Sequence, residues 1–160
     1  AEALEIGYSS MMHDVGKLAI PDRVLKKPGR LNDEELAIMR THAAKGAEIL
    51  GDNPFFEKAR HIAHCHHERY DGTGYPRGIK GEEIPLSARI VAVADIYDAL
   101  SSARVYKAAW TQDEVLVELV NISGTHLDPV VVNAFLEMVH DGTVDAIRQK
   151  YSDPAAEGQI

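Results

Sequence analysis

Ile90-Val91-Ala92-Val93-Ala94-Asp95-Ile96-Tyr97-Asp98-Ala99-Leu100 is apolar almost all round when wound into a helix, the pattern of a buried helix. Ser87 opens this helix, which runs through Ser101. A carboxylate at its centre, Asp95, costs several kcal/mol if it is left unpaired in such surroundings. It has to meet a metal, a dense set of hydrogen bonds, or a buried arginine. Asp98, one turn further on, reads as a structural partner or a cap.

Helical periods recur on both sides of this segment. Before it, Leu4, Tyr8, Met11, Met12 and Val15 keep helical spacing up to a stop at Gly16. Pro21 and the Lys27-Pro28-Gly29 turn signal mark a link. Asn32 then caps a second helix, with Glu35 placed as in a capping box and an apolar stripe of Leu36, Met39, Ala43, Ala47 and Leu50. Gly51-Asp52-Asn53-Pro54 ends that helix and starts a third, in which Ala59, Ile62, Ala63 and His66 share a face. Arg69 to Pro85 is a glycine-rich loop. Further helices run from about Thr111 to Ile122, from Pro129 to His140, and from about Val144. There is no internal repeat, and β-branched alternation is nearly absent outside these periods. The predicted fold class is all-α, a compact bundle of about six to seven helices.

The 160 residues favour one domain with a single core. A net charge of −8 leaves no basic face to follow a DNA or RNA backbone. Any phosphate on a ligand must be met locally, by metals or by a few placed lysines and arginines. The single cysteine, Cys65, excludes an internal disulfide and fits a reducing compartment. With no signal peptide and no membrane-length apolar run, the expected location is cytoplasmic, without membrane contact by this segment. Ala1-Glu2-Ala3-Leu4-Glu5 looks like the inside of a helix with no cap before it, which predicts a fragment of a longer chain.

His66-His67 stands at a helix end, directly before the loop that holds Gly72, Gly74 and Pro76. Successive helical residues point about 100° apart, so the two imidazoles reach different partners across a small polar cavity. Imidazole is the commonest protein metal ligand, and the pair fits a metal site gated by the loop. The plainer reading is two exposed histidines before a turn. His13-Asp14 offers a nitrogen and a carboxylate from one anchor, and Lys17, just past the helix end, offers charge to an anion. His42 flanks the stripe of the second helix, where a satisfied core histidine is the competing reading. His61, His64, His126 and His140 show no partner pattern, and Cys65 reads as buried filler. No Cys-x-x-Cys pair or H-E-x-x-H string supports a zinc ribbon or a zinc peptidase. Together His13, Asp14, His42, His66, His67 and Asp95 exceed what one tetrahedral zinc needs and suit two or more Fe or Mn ions. Paired metals lower the pKa of a bridging water and clamp an in-line displacement at phosphorus. The reaction class is metal-assisted phosphoester hydrolysis.

These residues, in this order, resemble the HD-GYP family of the HD phosphohydrolase superfamily. His13-Asp14 with Lys17 is similar to its H-D-x-G-K motif, and Gly74-Tyr75-Pro76 to its G-Y-P. The spans between agree as well: Ile20-Pro21-Asp22, Lys27-Pro28-Gly29, Met39-Arg40-Thr41-His42, His66-His67-Glu68, Val93 to Leu100, and Ser123-Gly124-Thr125-His126-Leu127-Asp128-Pro129. The likeness runs to about Met138.

The resemblance implies an HD-domain-like bundle with a G-Y-P loop, acting as a phosphodiesterase on the bacterial second messenger cyclic di-GMP, to pGpG or GMP. It implies His13, Asp14, His42, His66, His67 and Asp95 as ligands to two, at most three, divalent ions, Fe or Mn before Zn, with Asp14 bridging. It implies catalytic roles for Asp14 and Lys17, and substrate contacts for Lys17, Tyr75, Arg104 and Lys107. Arg104 precedes Val105 where the family usually has proline. Residues 1–143 would be the domain, lacking its N-terminal helix or helices and the ligand they carry, and 144–160 a short helix and tail. That absence predicts impaired activity. An upstream sensory or receiver domain and a protein partner at the Gly72–Pro76 loop are also implied. The alternatives are another cyclic dinucleotide, such as cyclic GMP-AMP, or a non-catalytic binding module.

Overall fold

The computed structural model describes residues 2–102 and 109–151, and these contain helices, turns and one isolated bridge between Ser123 and Leu127 but no sheet. Their α-helices are α1 (Glu2–Ser10), α2 (Asp22–Leu25), α3 (Asp33–Arg40), α4 (His42–Leu50), α5 (Glu57–Cys65), α6 (Leu86–Ser101), α7 (Gln112–Asn121), α8 (Pro129–His140) and α9 (Thr143–Tyr151). Short 3-10 turns cover Val15–Ala19, Pro54–Phe56 and Gly81–Glu83. The expected all-helical fold is met. No helix among the described residues is long and apolar enough to cross a membrane.

The central helix α6 joins two layers. Its Ala92, Val93 and Tyr97 pack with Val115 and Leu119 of α7, Leu127, Val132 and Val139 around α8, and Val144 of α9. Toward the other side α6 packs on α5, which also carries α4 and α1. Ile62, Leu119 and Leu127 are fully buried, each such side chain contributing about 1.5–3 kcal/mol. Across α6, the guanidinium of Arg89 pairs with the buried carboxylate of Asp128, which also caps α8 by accepting from the Val130 N–H at 2.8 Å.

Several boundaries follow the sequence closely. Asn32 and Glu35 form the expected capping box, Thr111 and Glu114 form another, and α8 runs from Pro129 to His140. The second predicted helix, however, is two. It breaks at Thr41, whose hydroxyl donates to the Ile38 carbonyl at 2.7 Å, the local side-chain bond that competes with a helix ladder. Helix α6 begins one residue before Ser87, after Pro85, without a side-chain cap. The first predicted stripe faces outward: Leu4, Tyr8 and Met11 are exposed, and Ser9 is the buried residue of α1. Among the described residues α1 packs chiefly on α5, where Lys58 pairs with Glu2 and Glu5 at 3.4 and 3.1 Å.

Candidate metal centre

Gly16 decides how the site is assembled. A Cβ there would lie 1.9 Å from the His42 carbonyl oxygen and 2.5 Å from the Gly46 nitrogen. Only glycine lets the Val15–Ala19 turn sit on the first turn of α4, and this contact brings Asp14 against His42. His42 is 2% exposed, so it belongs to the buried face of α4 with Ala43 and Gly46, and does not merely flank a stripe. His66 caps the end of α5 and is also buried, with His67 one residue on at the mouth.

Ligand atoms of Asp14, His42, His66 and His67 lie within 4.8 Å of one another, close enough to hold a metal ion. Asp14 Oδ1 is 3.4 Å from His42 Nε2 and 3.9 Å from His66 Nε2. These three atoms are buried and have no hydrogen-bond partner within the protein. The remaining nitrogens are committed. Nδ1 of His42 donates to the Met39 carbonyl at 2.8 Å, and Nδ1 of His66 to the Ile62 and Ala63 carbonyls at 3.1 and 3.0 Å. His13 does the same toward Ser10 at 2.7 Å. Such bonds fix the tautomer and leave each Nε2 lone pair aimed inward, the arrangement a cation needs. Buried acceptors facing one another with no donor between them repel, so the donor set fits divalent metal.

His13 and Asp95 complete the rim. His13 Nε2 is 3.3 Å from Asp14 Oδ2 and 4.0 Å from Asp95 Oδ1. The side chain of Asp95 is 43% exposed, which overturns the argument that its carboxylate is stranded in a dry core. The reason is positional: α6 is buried through Val91, Ala92, Val93 and Tyr97, while Asp95 lies off that buried face with its carboxylate toward His13. Lys17 donates to Asp14 Oδ2 at 2.5 Å. Arg104 and Lys107 lie outside the described residues.

The electrostatics favour the metal-binding protonation states. Burial, then the neighbouring His13, pushes the His66 imidazole down to about 4; burial and His66 push His67 down to about 3. For Asp14 burial pushes upward, yet His13 and Lys17 outweigh it and hold the carboxyl below its usual range. The hydrogen bond to Asp14 raises His13, against burial. Near neutral pH His66 and His67 are neutral imidazoles and Asp14 is an ionised carboxylate, the states a metal ion takes.

A second glycine sets the loop. A Cβ on Gly74 would meet the Arg69 nitrogen at 2.3 Å and the Glu68 Cα at 2.6 Å. The close approach lets the Tyr75 N–H donate to the His67 carbonyl at 3.2 Å and stacks the two rings with centroids 4.9 Å apart. The Tyr75–Pro76 bond is cis. Glu68, given no role in the sequence reading, is 3% exposed and anchors the loop by accepting from the Arg77 N–H at 2.7 Å. Its neighbours in the string His66-His67-Glu68 were the available signal. Arg40, in the span Met39 to His42, and His126, in the span Ser123 to Pro129, line a cavity with Arg69 beside Tyr75. The other histidines lie apart: His61 and His64 line a separate cleft, and His140 bonds to Leu136. Cys65 is buried against Ile84 and Ala88, as expected.

Known proteins resemble this chain along most of its length. A family model described as an HD domain matches residues 1–131. A cyclic di-GMP phosphodiesterase of Vibrio cholerae is 51% identical over 141 residues, 83% of this chain and 29% of that protein. The cyclic di-GMP phosphodiesterase response regulator RpfG of Xanthomonas campestris is 52% identical over 82% of this chain and 35% of its own. A 3'3'-cGAMP-specific phosphodiesterase of V. cholerae is 44% identical over 96% of this chain and 29% of its own. The chain thus spans about a third of the length of these relatives. Among solved structures, a cyclic GMP-AMP-specific phosphodiesterase of V. cholerae superposes with a TM-score of 0.59 at 21% identity, over 85% of this chain and 38% of that one. That likeness concerns the fold.

Proposed function

The chain belongs to the HD domain family, and from that premise we propose that it is a metal-dependent phosphodiesterase acting on cyclic dinucleotides, cyclic di-GMP first. The observation that carries the reading is the convergence of Asp14 Oδ1, His42 Nε2 and His66 Nε2, buried and unpartnered, at the foot of a loop built to present Tyr75. Relatives named for cyclic di-GMP at 51 and 52% identity support the substrate.

In this reading Asp14, His42, His66 and His67, with His13 and Asp95 at the rim, hold two divalent ions, Fe or Mn before Zn. Bound there, such ions supply Lewis acidity to a phosphodiester and acidify water near neutral pH. The rest of the work falls to the protein. The carbonyls of Ser10, Met39, Ile62 and Ala63 orient the imidazoles of His13, His42 and His66 in advance of substrate. Lys17 keeps Asp14 ionised and stands beside the cluster as a cation for phosphate oxygens. Tyr75 walls the approach over His67 and lines the nucleotide. Arg104 and Lys107 add phosphate contacts.

The test pairs elemental analysis with turnover. Protein purified without oxygen is expected to carry Fe or Mn and to release pGpG or GMP from cyclic di-GMP. Asp95→Ala and His66→Ala should lose metal and turnover together. Full turnover without bound metal would refute the reading. Relatives named for 3'3'-cGAMP favour a second substrate, so cyclic GMP-AMP belongs in the same assay as a competitor.

A further inference from the structure

Behind Tyr75 lies a second cavity of about 250 Å³, lined by Arg40, His67, Arg69, Thr73, Tyr75 and His126, with no carboxylate in its wall. In a chain of net charge −8, a cavity with two guanidinium groups and no acid is set apart. Arg40 lies over the Tyr75 ring, its guanidinium carbon 5.2 Å from the centroid. The Nε of Arg69 is buried and makes no hydrogen bond. The nearest carboxylate oxygen, Asp71 Oδ1, is 3.7 Å away. That oxygen is already taken by the N–H and hydroxyl of Thr73, at 2.9 and 2.6 Å. Backbone bonds hold the cavity's floor: the Tyr70 N–H donates to the His126 carbonyl at 3.0 Å and the Asp71 N–H to Thr125 at 2.9 Å.

The wall shared with the metal cluster is His67. Its ligand atom belongs to the group within 4.8 Å, while its ring stacks on Tyr75. A ligand with one phosphodiester at the cluster and a second nucleotide beyond it would lay that second half past Tyr75 onto the arginines. We propose that Arg40 and Arg69 form a recognition subsite for the half of the dinucleotide that is not being cleaved, an inference that rests on the cyclic-dinucleotide reading above. The chemistry recognised is a pair of acceptor oxygens or nitrogens presented to a planar guanidinium. A phosphate and the O6/N7 edge of guanine both supply it.

Arg40→Ala, Arg69→Ala and Arg69→Lys test this on the metal-loaded chain. Cyclic di-GMP is compared with bis(p-nitrophenyl) phosphate, a diester with no second nucleotide. Each alanine variant should lose about tenfold to a hundredfold in cyclic di-GMP affinity, mostly through KM, and at least about tenfold more than on the small diester. Calorimetry of cyclic di-GMP binding in chelator should show the same loss, and Arg69→Lys should recover part of it. Cyclic di-AMP then distinguishes the source. An equal loss on both dinucleotides marks phosphate, and a loss confined to cyclic di-GMP marks the guanine edge. Affinity within about twofold of wild type, or equal losses on the dinucleotide and the small diester, would overturn the subsite alone. Wild-type turnover of the small diester with none of any cyclic dinucleotide would overturn the substrate reading and the subsite with it.

Discussion

Asp14 Oδ1 lies 3.4 Å from His42 Nε2, and neither atom has a hydrogen-bond partner. Two buried acceptors facing each other with no donor between them are left desolvated and unpaired, a conflict that a bound cation would relieve. His42→Ala removes one side of that pair while the Asp14–Lys17 bond survives. Bound Fe or Mn per chain, read by elemental analysis, should fall about tenfold or more at micromolar supply, with turnover falling in step. Metal content equal to wild type would show that His42 is a core histidine after all.

Acid should loosen the metal-free protein before it reaches the ordinary carboxylate range. His66 and His67 titrate near 4 and 3 in the fold, against 6.5 for a free imidazole. Between those values the unfolded chain takes up protons that the folded chain refuses. The stability these residues contribute is therefore complete above about pH 6.5 and is lost as pH falls through about 4 for His66 and about 3 for His67. His13 is shifted the other way, so its contribution is present at low pH and is lost as pH rises through its raised value. The two strongly depressed groups outweigh the one raised group. Urea midpoints of chelated protein should fall steadily from about pH 7 to about pH 4. The loaded protein should release metal over the same range, because protons compete for the same nitrogens. A flat midpoint would contradict both.

The loop predicts a different pattern of loss. Gly74→Ala drives a Cβ into the backbone of Glu68 and Arg69, which cannot swing aside as a side-chain tip would. Overpacking of this kind costs about 1–3 kcal/mol. His42 and His66 are anchored through α4 and the end of α5, whereas the same Cβ would also meet the His67 carbonyl oxygen at 2.6 Å, so metal content should fall less than in His42→Ala. KM for cyclic di-GMP should rise, because the Tyr75 ring loses its register on His67. Loss of metal with unchanged KM would place Gly74 in the ligand scaffold.

The residues and their elements differ in how well the sequence disclosed them. Helix existence was legible because caps and periods are local: Asn32 with Glu35 announces a start, and Gly51 to Pro54 a stop followed by a new start. The break at Thr41 was not, since a hydroxyl bonding to Ile38 leaves the apolar period of α3 and α4 intact. For the site, His66-His67 and His13-Asp14 stood out as residue types, and the structure does bring them near one another. The physical argument for Asp95 failed because an apolar helix can still open one edge to a cavity. Glu68 and Arg69 were hidden for a related reason. Their importance lies in which backbone groups and rings the loop folds back to meet, and no spacing rule encodes that.

Arg89 and Asp128 should account for more stability than any surface pair. Both side chains are withdrawn from water, Asp128 to 1% exposure and Arg89 to 15%, and the Arg89 Nε also donates to the Ile84 carbonyl at 2.9 Å. Asp128→Ala leaves the guanidinium buried with one partner lost and removes the cap of α8. Breaking a buried pair costs about 3–5 kcal/mol, and losing a cap about 1 kcal/mol. In a domain of this size the melting temperature should drop by about 8 °C or more. Neither residue is among the clustered ligands, so metal per folded chain should be unaffected. The double variant Arg89→Met with Asp128→Leu removes both charges and should regain most of the ion-pair loss, though not the cap. A double variant as unstable as the sum of its singles would mean that the pair contributes through packing alone.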